Sequence, residues 1–446
     1  MERQFKFSGN PIIGKIPAGW QMKRLKDVGY LYGGLTGKAG EDFEVNEDKD
    51  NFAYFIPFTN IFNNTYISPD VLGKVKFSDG EKQNEVHKGD LLFLMSSEDY
   101  DGIGKPAVLN FELANLYLNS FCKGFRITSD VNSKFLNYLM SSHVERELVR
   151  LEAKGFIRIN LRQDKLACCD IIIPSRLEQD RIADYLDEKC GEIDSLIGLQ
   201  EQMIEKLKAY RQSVITEAVT KGLDPNAKLV PSGIDWVGDM PERWAIGRFY
   251  FLNWIRARLG WRGLKAEEYT ETGFPFLSAF NIINNRLDWS NINFINQERY
   301  DESPEIKLNI GDVLLVKDGA GIGKCARIDE LPYGPATVNG SLAVITPNKE
   351  LHYKFLYYYL QSNPFWHIIN LLLVGMGVPH LTQTNMKSIY MPLPIVEEQQ
   401  SIASYLDEKC SDIDRLIGLK QQKIELLKDY KKSVIFEAVT GKTIIE

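Results

Sequence analysis

From Leu186 onward, one face of the chain returns every three or four residues. The positions are Leu186, Cys190, Ile193, Ile197, Gln200, Ile204, Leu207, Arg211, Val214 and Ala218. Alternating steps of four and three are the heptad pattern of a helix that buries a seam against another helix. The pattern recurs at Leu406, Cys410, Ile413, Ile417, Lys420, Ile424, Leu427, Lys431, Val434 and Ala438. Ser175 with Glu178 reads as a capping box just after Pro174, and Gly222 followed by Pro225 reads as a stop. A helix of about 43 residues is a rod of roughly 65 Å. One such rod cannot bury its own seam, and the second rod in the same chain is the economical partner. Beside the seam, Leu196, Leu199, Met203 and Tyr210 form a second apolar stripe, which suggests docking of other subunits.

The two rods are copies. YLDEKCGEIDSLIGLQEQMIEKLKAYRQSVITEAVT at 185–220 and YLDEKCSDIDRLIGLKQQKIELLKDYKKSVIFEAVT at 405–440 match at 25 of 36 positions without a gap. The repeat extends outward. SGNPIIGKIPAGW at 8–20 resembles SGIDWVGDMPERW at 232–244, FIPFTNIFNN at 55–64 resembles FPFLSAFNIINN at 274–285, and KFLNYLMSS at 134–142 resembles KFLYYYLQS at 354–362. The chain is a tandem duplication with boundaries at 1–175 (globular), 176–225 (helical), 226–395 (globular) and 396–446 (helical). The first helix ends near Thr220 and the next globular unit begins near Pro231. So short a link favours antiparallel helices, with the globular units at opposite ends about a pseudo-two-fold axis.

Within each globular unit, strand-like runs such as FIPFTN and GDLLFL alternate with helical stretches such as NSKFLNYLMSSHVERELVRL. The expected class is α+β. GDVLLVKDGAGIGKCARI at 311–328 has the wording of a phosphate loop. Gly319 stands one residue too close to Gly323, Cys325 follows Lys324 where a magnesium-binding hydroxyl belongs, and no helical pattern follows. GDLLFLMSSEDYDGIGKPAVL at 89–109 repeats the motif with a longer acidic insert. Both read as a strand, a tight turn with glycines at positive φ, and a return strand.

At 446 residues the chain can hold two or more cored domains. No run of about 18 apolar residues predicts a membrane span, and MERQFKFSGN has no signal-like apolar core. The six cysteines form no CxxC pair and the five histidines have no ligand spacing. Buried free thiols in a reducing cytoplasm, without a metal site, are the expectation. Net charge is −7. Residues 1–175 carry 22 basic and 23 acidic side chains and residues 226–394 carry 16 of each, so the excess acid lies on the rods. Local basic clusters remain. Arg256, Arg258, Arg262 and Lys265 lie between and beyond Trp254 and Trp261, in a window from Ala245 to Ala266 without an acid. Arg158 and Arg162 flank Asn160, and the counterpart stretch holds His380, Thr382, Gln383 and Asn385. Arg, Asn and Gln near glycine turns suit phosphates and base edges. These positions are the candidate DNA contacts. Clustered beside glycine, the arginines at 256–262 are expected to meet phosphates. An adenine methyltransferase would need an Asn/Asp-Pro-Pro-aromatic loop. Asn363-Pro364-Phe365-Trp366 lacks the second proline, and no catalytic constellation stands out.

Taken together, the SGIDWVGDMPERW lead-in, the AVTKGLDP exit, the GDVLL…GIGK turn, KFLYYYLQS, and PLPIVEEQQSIASYLDEKCSDIDRLI resemble the specificity (S) subunits of Type I restriction–modification systems. The resemblance covers nearly the whole chain. It implies two target-recognition domains, each reading half of a bipartite double-stranded DNA site, joined by two antiparallel helices that form a coiled coil and act as a ruler. It implies no catalysis and no cofactor on this chain. Two methyltransferase (M) subunits would bring S-adenosylmethionine, and restriction (R) subunits would bring ATP and Mg. A duplicated coiled-coil protein adaptor and a stand-alone DNA methyltransferase are the competing readings.

Overall fold

The computed structural model describes residues 3–78, 80–155, 158–258, 266–319, 321–373 and 380–445. The chain divides into two compact units, Met1–Gln200 with Gln422–Glu446, and Glu201–Gln421. Each unit therefore combines one globular domain with a stretch of both long helices, where the sequence pattern suggested separate globular and helical parts.

The long helices are Arg176–Lys221 and Val396–Val439. At the start of the first, the Glu178 N–H donates to the Ser175 hydroxyl at 3.4 Å and the Ser175 N–H donates to Glu178 Oε2 at 3.2 Å, so the capping box forms. Gly222, at φ +76°, ends it. In the first unit Leu186 and Cys190 pack in one core with Val434 and Ala438, and Lys431 pairs with Asp194 at 2.7 Å. In the second unit Val214 and Ala218 pack with Leu406 and Cys410, and Arg211 meets Asp414 at 3.3 Å. Rising numbers on one helix meet falling numbers on the other, so the helices run antiparallel. The predicted seam is the buried face: Ile193, Ile204, Ile413 and Ile424 are buried, and Ile197, Leu207, Ile417 and Leu427 are half-buried. Leu196, Leu199, Met203 and Tyr210 stay exposed, as do Leu416, Leu419, Leu426 and Tyr430 on the second helix.

The two domains share one topology. In the first, a four-stranded antiparallel sheet has the order Gly29–Gly33, Cys122–Ile127, Leu91–Leu94, Pro106–Val108. In the second the order is Asn253–Arg256, Leu342–Pro347, Val313–Val316, Cys325–Arg327. A three-stranded mixed sheet lies beside each. The central strand explains the uninterrupted apolar runs. Leu91 and Phe93 enter the core that contains the domain helices, whereas Leu92 and Leu94 enter the core of the smaller sheet. Val313 and Leu315 divide from Leu314 and Val316 in the same way. A strand covered on both faces needs apolar residues at every position.

The GIGK stretches are turns. Gly104 and Gly323 have φ of +66° and +86°. A Cβ on Gly323 would lie 2.5 Å from the Trp366 ring, and one on Gly104 would lie 2.3 Å from Val149. Both positions need glycine for backbone conformation and for space. Two expectations are corrected. The stretch 133–152 is two helices, Ser133–Ser141 and His143–Glu152, broken at Ser142 with ψ 149°. Cys168 is exposed, unlike the other five cysteines.

Candidate nucleic-acid interface

In each domain the chain leaves the central strand, makes the glycine turn, and is met there by the segment after the domain helices. In the first domain, Ser96 and Ser97 pair with Asn160 and Ile159, and the Leu161 N–H donates to the Met95 carbonyl at 2.9 Å. Ile159 and Leu161 point inward and are buried. Arg158, Asn160 and Arg162 consequently face solvent, about 6.6 Å apart from one to the next along an extended chain. Two guanidinium groups with a carboxamide between them offer donors and an acceptor on one exposed row. The Arg158 guanidinium lies 4.7 Å from the centre of the half-exposed Phe121 ring. Arg162 meets Asp164 through two 3.0 Å bonds, and these hold the Asp164 carboxyl below its usual range. An exposed pair of this kind contributes little to stability, so a phosphate could take Arg162 over. The acidic insert is clamped down: Asp101 binds Arg150, and Arg146 donates to the Asp101 carbonyl at 2.8 Å.

The second domain repeats the backbone and changes the side chains. Asp318 pairs with His380, and the Leu381 N–H donates to the Lys317 carbonyl at 2.8 Å. The Asp318 carboxylate is held by Lys317 at 2.6 Å and by the exposed His380 ring. The Thr382 hydroxyl accepts the Asn385 N–H at 3.0 Å and caps the short helix Gln383–Lys387, leaving Thr382 and Gln383 half-buried. Lys324 of the glycine turn is exposed. The first edge is a cationic row; the second is a mixed set of donors and acceptors on the same frame.

Structure corrects the arginine cluster. Arg256 is 5% exposed and binds Asp312 at 2.7 Å, the Lys307 carbonyl at 2.7 Å and Thr346 at 2.6 Å. The Arg258 side chain is buried against Glu302 at 3.4 Å. These two arginines are engaged inside the framework rather than held out to solvent. Arg262 and Lys265 lie outside the described residues. Sequence reasoning passed over other residues. Phe280 is 93% exposed in the short 3-10 turn Ala279–Asn281 that follows the strand Phe274–Leu277, and its counterpart in the first domain is Thr59. A phenyl ring opposite a threonine in aligned repeats was the available signal. Tyr250, Phe251 and Trp254 are also exposed. Among the described residues no group of three or more His, Cys, Asp or Glu could hold a metal ion, and no helix is long and apolar enough to cross a membrane.

The family of Type I restriction modification DNA specificity domains matches residues 17–209 and 262–429. The chain belongs to that family. Relatives include the MjaVIII specificity subunit of Methanocaldococcus jannaschii, 24% identical over 96% of this chain and 94% of the relative. The EcoKI specificity subunit of Escherichia coli is 23% identical over 96% and 90%. Among solved structures, a chain from work on complex assembly and conformational transition of the type I R-M system superposes with a TM-score of 0.73 at 17% identity, covering 96% of this chain and 99% of that one. The HsdS subunit of Thermoanaerobacter tengcongensis gives 0.52 at 17% identity, covering 96% and 98%. The specificity-domain fold thus spans both repeats.

Proposed function

We propose that this Type I specificity subunit reads a bipartite double-stranded DNA site, one half per recognition domain, and that its helices set the number of unspecified base pairs between the halves. The observation that supports this reading is the pair of edges with one backbone and different side chains: Arg158, Asn160 and Arg162 on one, His380, Thr382 and Gln383 on the other. A shared frame with exchanged surface residues is what reading two different half-sites in one geometry requires. The subunit performs no catalysis itself. In this proposal M subunits dock on the exposed stripe of the helices, carry S-adenosylmethionine and supply much of the phosphate contact that a chain of charge −7 lacks. R subunits bring ATP and Mg, and the complex works in the cytoplasm.

The ruler is tested by inserting one heptad in each helix, after Ile197 and after Ile417, which preserves the seam. The expected result is a methylated motif with a changed number of unspecified bases, or loss of methylation. An unchanged motif overturns the ruler.

A further inference from the structure

One aspartate on each long helix gathers the side chains of its own recognition domain. Asp187 accepts from Tyr66, from Tyr138 at 2.8 Å and from Lys134 at 2.7 Å. Asp407, its copy in the YLDEKC repeat, accepts from Tyr358 at 2.7 Å, Lys354 at 2.9 Å and Arg327 at 2.5 Å. Tyr138 matches Tyr358 and Lys134 matches Lys354 in the aligned repeats. Two of the three donors are therefore kept, and the third comes from a different strand or loop. Eight residues earlier a buried glutamine makes a second attachment. Gln179 accepts the Asn132 N–H at 2.8 Å and donates to the Pro174 carbonyl. Gln399 accepts the His352 N–H at 2.7 Å and donates to the Pro394 carbonyl. Eight residues of helix separate the attachments by about 12 Å. Each domain also packs on its helix through a shared apolar core, which is not directional; two polar attachments set apart along the helix add direction to that packing.

We infer that Gln179 with Asp187, and Gln399 with Asp407, are positioning residues that fix each recognition domain's orientation on its helix and so determine which DNA spacer length the subunit accepts. The inference rests on the bipartite reading above. One added base pair moves a half-site by about 3.4 Å and turns it by about 34°. Directional bonds at two points resist that rotation more than apolar packing with one of them lost. The donors are matched to carboxylates: hydroxyls and cations converge on groups about one-quarter exposed, where charge-assisted bonds are strong.

The test uses the subunit assembled with its M partners. Methylation is measured on duplexes that carry the wild-type spacer, or one base pair more or fewer, and on duplexes with single substitutions in each half-site. For Asp187→Asn and Asp407→Asn the expected result is a fall of about fivefold or more in the preference for the native spacer, with base selectivity inside each half-site kept. An unchanged spacer preference in an assembled variant overturns the inference. If either aspartate variant fails to assemble, Tyr138→Phe and Tyr358→Phe, which remove one donor and keep the ring, decide by the same readout. A wild-type complex with no two-part site would instead overturn the bipartite reading itself.

Discussion

The two recognition domains bury the same carboxylate and neutralise it from opposite strands. Asp90 begins the central strand of the first domain and is bound by Arg126 at 2.7 Å and by the Tyr32 hydroxyl at 2.6 Å. Asp312 begins the central strand of the second and is bound by Arg256 and Thr346. Tyr32 and Arg256 lie on equivalent edge strands, and Arg126 and Thr346 on equivalent neighbours. The cation and the hydroxyl have exchanged places across the sheet. Both solutions satisfy the same buried charge, because a carboxylate at that depth requires a cation and further donors, whichever strand supplies them. Residues can therefore trade positions while the frame stays fixed, and an arginine conspicuous in sequence can belong wholly to the frame.

The most severe way to break this comparison is Arg256→Ala. It leaves Asp312, fully buried, without its cation, at a cost of roughly 3–5 kcal/mol. Arg126 is more exposed, at 29% of its side chain, so Arg126→Ala is expected to cost less. Thermal melting of the two variants ranks them. Wild-type melting of Arg256→Ala combined with weaker DNA binding would return that residue to the DNA face.

A second test asks whether the helical repeats are equivalent in energy as well as in position. Ile204 and Ile424 occupy matching seam sites and are both 7% exposed. Aspartate at either buries a carboxylate without a partner, costing on the order of 3 kcal/mol. Equal losses of melting temperature, together with lost assembly with M subunits, are expected. Wild-type melting and assembly of Ile204→Asp would contradict the packing.

A third difference titrates. Glu145 is buried, Phe365 occupies the equivalent place in the second domain, and Glu145 Oε2 has no hydrogen-bond partner among the described residues. Burial, aided by the charge of Asp170, pushes its carboxyl up to about 8. A group raised in the folded state favours folding while protonated. Its contribution is lost as pH rises from the ordinary glutamate range through about 8. Glu145→Gln should therefore gain melting temperature over wild type, and the gain should grow between about pH 5 and pH 8. A gain independent of pH would remove the buried ionisation from the account.

How far the sequence could be read follows from where each signal lies. The seam was legible because helical burial is periodic: Leu186, Ile193 and Ile204 announce themselves by spacing alone. The caps at Ser175 and Gly222 are local chemistry and were legible for the same reason. Arg256 was misread because its partner Asp312 is 56 residues away, and an acid-free window says nothing about partners supplied by another strand. The break at Ser142 was hidden because a serine between two apolar-periodic runs carries no strong stop signal. Arg158, Asn160 and Arg162 were singled out by residue type, but their common exposure depends on the strand pairing with Ser96 and Ser97, which spacing did not reveal.

The smallest expected effect separates the two edges themselves. Arg162→Ala should lower the salt slope of DNA binding by about one unit and weaken specific and scrambled duplexes alike. Thr382→Ala has no charge to lose and should leave the slope unchanged. Equal slopes for Arg162→Ala and wild type would remove that arginine from the phosphate backbone.

The central claim is that one chain directs adenine methylation to a two-part site, with one part per domain. It is tested most directly by sequencing methylated adenines in a host that carries the system, with the native chain and with a chain whose residues 226–395 are replaced by those of another specificity subunit. The account predicts a two-part motif of fixed gap in which the exchange rewrites one half and leaves the other intact. A continuous motif, or an exchange that rewrites both halves, would contradict it.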